Sequence, residues 1–119
     1  MVDYKKYKVW QRSHQLVLEI YSVTKEYPKT EQFGLVSQMN RAAVSIPTNI
    51  AEGCGRETQK ELIRFLYISS GSAHELDYLT LVSKELGFIE ESKANELINE
   101  IDEIKKMLAA LIKTIKKSL

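Results

Sequence analysis

The residue types that could do chemistry in this chain are cations near its start. Lys5, Lys6, Lys8 and Arg12 lead into the first helical stretch, Arg41 falls within the second, and Arg56, Lys60 and Arg64 occupy the following turn and the opening of the third. Such cations neutralise phosphates by releasing condensed counterions, so RNA or DNA binding with little base preference is the chemistry they would support. Tyr4, Tyr7 and Trp10 interleave with the first of them and offer faces for unpaired bases. Packing onto the protein is an equal use for the tyrosines and the leading one for Trp10. Arg41 and Arg56 have Glu52 and Glu57 close by in sequence, and structural ion pairs are their competing use.

Other chemistry finds no constellation. His14 and His74 stand without a second His or Cys at ligand spacing, which argues against a metal site. Cys54, between Gly53 and Gly55, reads as an exposed thiol with only Arg56 nearby to activate it. Ser45, Ser69, Ser70 and Ser72 lack a nucleophile elbow, and Gly53-Cys54-Gly55 is too short for a phosphate loop. Glu90-Glu91 and Asp102-Glu103 suit a solvated helical face better than an acid-base pair. The expectation is no catalytic residue, no metal, no cofactor and no enzymatic activity.

Positioning falls to helices. The 119 residues fit one domain, with 28% charged residues, two prolines and five glycines, and no apolar run long enough to span a membrane. One cysteine and an opening without an apolar export region point to the cytoplasm. The net charge of +1 hides segregation. Residues 1–74 hold ten Lys/Arg against seven Asp/Glu, residues 75–103 two against nine, and residues 104–119 five lysines and no acid. Blocks of this kind create electrostatic faces.

Val9, Leu16, Ile20 and Val23 repeat at helical spacing until Pro28, predicting a helix over about 8–26. Thr30 is the expected cap of a second, in which Val36, Met39, Ala43, Ile46 and Ile50 recur before Gly53 and Gly55 end it. Pro47 lies inside and predicts a kink near 43–47. Thr58 to Glu61 has capping-box spacing and opens a third helix, which Gly87 closes. A fourth starts near Ser92, and Leu97, Ile101, Ile104, Leu108, Leu111 and Ile115 write a seam along it at alternating spacings of four and three. Short connections predict an all-α, antiparallel up-down four-helix bundle over residues 1–119.

The third helix is apolar around more than one face. Leu62, Phe65, Leu66, Leu76, Leu79 and Leu86 suit a core, while Ile63, Tyr67, Tyr78, Leu81 and Val82 lie around from them and are candidates for an oligomer interface. Ser69 to Ala73 is a run of small residues that would let a second helix approach closely, offsetting the helix-propensity cost of Gly71.

The run Leu35-Val36-Ser37-Gln38-Met39-Asn40-Arg41-Ala42-Ala43-Val44-Ser45-Ile46-Pro47-Thr48-Asn49-Ile50-Ala51-Glu52-Gly53, then Gly55-Arg56 and Glu61 to Leu66, resembles the bacterial four-helix-bundle family encoded in intervening sequences of 23S rRNA genes. The opening Val9 to His14 resembles that family's start, and the likeness extends from about Tyr7 to Ile115. The resemblance implies the bundle fold. It also implies kinship with accessory variability proteins of diversity-generating retroelements, which form homopentamers, bind nucleic acid and assist a reverse transcriptase. Arg12, Arg41, Arg56 and Arg64 are the matching cations here. The expectation is therefore a homopentameric, nucleic-acid-binding accessory protein. A protein-protein interaction or scaffold module is the alternative.

Overall fold

The computed structural model describes residues 2–119, and among them every regular element is helical. A 3-10 turn, Tyr4–Lys6, leads into α1 (Lys8–Thr24); a second, Lys29–Glu31, precedes α2 (Leu35–Cys54); α3 (Gln59–Glu85) and α4 (Glu91–Lys117) follow. Each helix packs on the next, and α4 returns to α1. One core of aliphatic side chains lies between them, including Leu16, Ile20, Met39, Ile46, Ile50, Leu66, Leu76, Leu97 and Ile104, all withdrawn from water.

Two boundaries fall where the capping chemistry places them. Thr58 Oγ1 accepts the Glu61 amide at 3.2 Å, satisfying a free donor at the start of α3. At the other end Phe88 N–H reaches the Ser83 carbonyl at 2.9 Å and Gly87 N–H reaches Lys84 at 3.1 Å. This is a Schellman closure, and Gly87 at φ +77° supplies its left-handed residue. Leu86 sits in that closure, 58% exposed, and is not a core residue.

Two expectations, the Thr30 cap and the Gly53 terminator, need correction. Thr30 does not cap α2; it lies in the 3-10 turn, and α2 opens four residues after Glu31, from Gly34, without a side-chain cap. Gly53 is not a terminator either. It is buried inside α2, where a Cβ would lie 2.9 Å from both Leu62 Cδ1 and Phe65 Cβ, so the glycine is what lets α2 and α3 approach. α2 runs through Pro47 as one helix.

The α2–α3 contact also absorbs the small residues of α3. Ser69 Oγ donates to the Ile46 carbonyl at 2.9 Å, Ser72 and Ser45 hydroxyls meet at 2.7 Å, and Ala73 is fully buried. Gly71 faces outward with nothing within 4 Å of its would-be Cβ. Along α4 the buried set is Ala94, Leu97, Ile101, Ile104, Leu108, Ile112 and Ile115, with Leu111 only half-buried. Leu97/Leu108, Ile101/Ile112 and Ile104/Ile115 repeat every eleven residues, about 3.67 per turn. Ala94, Ile101, Leu108 and Ile115 keep a seven-residue spacing as well, and the two repeats part at Ile112, which is buried where a seven-residue seam would place Leu111.

Candidate nucleic-acid interface

Asp3 fixes the start of the basic segment by accepting the Lys5 amide at 3.0 Å on its Oδ1. The resulting turn packs on α1 and on α2, and Asp3 lies close enough to Cys54 for its charge to act on the thiol. Lys5, Lys6 and Lys8 are thereby exposed beside the end of α2, where Arg56, Lys60 and Arg64 follow, also exposed. Six of the eight candidate cations thus occupy the neighbourhood of the Tyr4–Lys6 turn and the α2–α3 connection.

The other two do not join them. Arg12 forms a two-pronged pair with Glu100 of α4, Nε donating to Oε2 at 2.9 Å and Nη2 donating to Oε1. Hydrogen bonding to Glu100 raises the Arg12 pKa further above its already high ordinary value, and the carboxylate compensates its charge. Arg41 is exposed on α2, thirteen residues before Cys54, or about 20 Å along the helix. It lines a shallow groove with Phe33, Ser37, Gln38 and Glu75. Among the described residues neither Arg41 nor Arg56 forms an ion pair with Glu52 or Glu57. Arg56 lies instead over the Phe65 ring, 4.8 Å from its centroid.

The aromatic residues are held by the protein. Trp10 stacks on His14 with centroids 5.1 Å apart and takes the edge of Tyr4 at 5.0 Å. Tyr7 is half-buried, and burial pushes its hydroxyl pKa up. Cys54 is not an exposed thiol: it is buried in the core cluster, and desolvation first, then the Asp3 charge, raises its pKa. This is the opposite of an activated nucleophile. His74 Nδ1 lies 2.8 Å from the Ser70 carbonyl of its own helix.

The interface candidates separate by exposure. Ile63 is 7% exposed and belongs to the chain's own core, so it offers no surface to a second copy. Tyr67, Tyr78 and Leu81 are exposed and Val82 is half-buried. Ile68 is exposed on the same helix, and Phe33, unremarkable in sequence, is 92% exposed in the α1–α2 connection.

Lysines of the acid-free block at residues 104–119 also belong to this region. Ser118 Oγ lies 3.2 Å from Gln59 Oε1, and Lys116 Nζ donates to Tyr67 Oη at 2.7 Å, so the end of α4 lies beside the start of α3. Lys113, Lys116 and Lys117 therefore stand beside the opening turns of α3, the stretch that carries Lys60 and Arg64. Their number was legible as a lysine-only block; their company depended on which helix lies along which.

No helix among the described residues is long and apolar enough to cross a membrane. No curated protein matches the chain. Among solved structures, a protein of unknown function from the S23 ribosomal protein family of Bacteroides thetaiotaomicron VPI-5482 superposes with a TM-score of 0.80 at 24% identity, covering 88% of this chain and 98% of that one. That likeness establishes the shared all-helical fold. The model of the 23S rRNA-intervening sequence protein family matches residues 5–110, nearly the full length, and the chain belongs to that family.

Proposed function

We propose that this chain is a non-enzymatic, homo-oligomeric accessory protein of the cytoplasm that binds RNA or DNA with low sequence specificity, assembled as a pentamer and serving a reverse transcriptase or another nucleic-acid-handling partner. The observation that carries the reading is the gathering of Lys5, Lys6, Lys8, Arg56, Lys60 and Arg64 on exposed surface around one connection. An antiparallel up-down bundle accounts for it. In the pairs Met39–Ser83, Ser45–Ser72 and Ile46–Ser69, and again in Asp77–Lys105, Tyr67–Lys116 and Gln59–Ser118, one number rises as the other falls. In that arrangement the start of α1, the α2–α3 turn and the end of α4 share one end of a body 46 Å long. Glu26, Glu31, Glu85, Glu90 and Glu91 then belong to the other end. A bend at 43–47, where Pro47 withholds the amide that would reach the Ala43 carbonyl, belongs to the same picture.

Self-association is supported by exposed Ile68, Tyr78 and Leu81 on α3, a helix whose other side already fills the core, while Tyr67 at its start faces the end of α4. Copies arranged about a symmetry axis multiply the cationic end, and phosphate contacts become multivalent. Salt-titrated binding of single-stranded RNA, single-stranded DNA and duplex tests this: affinity is expected to fall steeply with salt and to depend little on sequence. No binding at low salt removes the reading in favour of a protein-interaction module. Light scattering tests the assembly, and a monomer at micromolar concentration contradicts it.

A further inference from the structure

Between α3 and the end of α4 lies a groove of about 500 Å³, lined by Tyr67, Ser70, Ala109, Ile112, Lys113, Lys116 and Lys117. Its floor is apolar, since Ile112 is buried beneath it and Ala109 adds a methyl group. Its rim is cationic. Among the described residues no carboxylate forms an ion pair with Lys113, Lys116 or Lys117, whereas Arg12 and Lys105 are both neutralised by acids. Lys116 is already held, its Nζ on the Tyr67 hydroxyl at 2.7 Å and 5.1 Å from the ring centroid. Tyr67 itself is 50% exposed.

We propose that this groove is a binding site for single-stranded nucleic acid, with a base against Tyr67 and the Ala109–Ile112 floor and the flanking phosphates on Lys113, Lys116 and Lys117. The proposal rests on the nucleic-acid reading above and gives it a place that the candidate cations of the sequence did not include. Three properties select the occupant. Three exposed lysines within about 6 Å along α4, none paired with a carboxylate among the described residues, attract an anion. An apolar floor with an aromatic wall requires a flat or apolar body next to that anion, which an unpaired nucleotide supplies and an acidic peptide side chain does not. The volume lies in the range of small-molecule pockets and suits a unit the size of one nucleotide, not a duplex.

The test is anisotropy of a labelled oligouridylate and an oligothymidylate, each about twelve nucleotides long, on the full chain at about 50 mM and about 200 mM salt. The combined Lys113→Ala, Lys116→Ala and Lys117→Ala variant is expected to lose about tenfold or more in affinity and to flatten the log–log salt slope by about 2, for three single-strand phosphate contacts. Tyr67→Ala is expected to lose about tenfold, whereas Tyr67→Phe, which keeps the stacking face, stays within about twofold of the parent. Circular dichroism and light scattering on each variant separate loss of fold or assembly from loss of the groove. Undiminished binding by the triple-lysine variant overturns the proposal. If affinity then disappears on replacing Lys5, Lys6, Lys8, Arg56 and Lys60, the groove fails while the nucleic-acid reading stands. Failure of both oligonucleotides to bind the parent chain at low salt overturns both. Equal competition by polyglutamate and polyuridylate for the groove overturns the choice of nucleic acid as its occupant.

Discussion

Two glycines on adjacent helices carry opposite consequences. At Gly53 a methyl group would press on Leu62 Cδ1 and Phe65 Cβ at 2.9 Å, and the second of these is anchored to backbone. Gly53→Ala is expected to destabilise by about 1–3 kcal/mol despite its better helix propensity. Gly71 meets nothing within 4 Å, so Gly71→Ala should stabilise the isolated chain by up to about 1 kcal/mol. Urea unfolding of the pair measures both signs. The burial of Cys54 makes a further prediction. Its folded-state pKa is raised above the ordinary 9.0, so the stabilisation it brings is complete below that pH and declines as pH rises through it. Tyr7 and Tyr27, raised from 10.0 by burial, add to the decline at higher pH. The urea midpoint should fall above about pH 9, and Cys54→Ala should flatten the first part of that fall, whatever it does to the midpoint near neutrality.

At the scale of the element, α3 and α4 show how caps and periodicity were read unequally well. Thr58→Ala removes the only side-chain acceptor at the start of α3 and should cost about 0.5–2 kcal/mol, measured by thermal or urea unfolding. The Thr58 cap was readable because it is local, joining groups three residues apart; the reciprocal half of the box is not formed, since the Glu61 carboxylate lies on the Thr58 hydroxyl and not on its amide. The face of α4 was readable only to within one position. Leu111 and Ile112 are both aliphatic and adjacent, and the choice between a seven- and an eleven-residue repeat depends on how the helix lies on its neighbours. Ile112→Ala is expected to cost about 2–5 kcal/mol and Leu111→Ala less, because only the former empties space in the core. Gly53 was misread for the same reason. Glycine near a helix end suggests a terminator, and only the position of Leu62 and Phe65 reveals that it is a contact.

At the scale of the whole molecule, exposure divides the apolar residues of α3 into those the chain uses itself and those left for another. Leu81→Glu should leave the fold intact and, if α3 carries the assembly, shift light scattering towards the monomer. Ile63→Glu, by contrast, places a charge in the core and should prevent folding. The charge distribution belongs to this scale too. Lys113 to Lys117 and Lys5 to Lys8 stand almost a chain length apart in sequence, yet Gln59–Ser118 and the packing of the first turn on α2 bring both to the α2–α3 connection.

Apolar spacing and capping residues determined that the chain is helical, that it has four long helices and, except at the start of α2, nearly where they begin and end, because each of those signals acts over three or four neighbours on one helix. The tertiary structure alone decided that Arg12 is spoken for by Glu100, that Cys54 and Ile63 are inside, and that three lysines share a groove with Tyr67. Each of these depends on which face of one helix meets which face of another, and that is fixed by the joint packing of side chains distant in sequence, which no local pattern records.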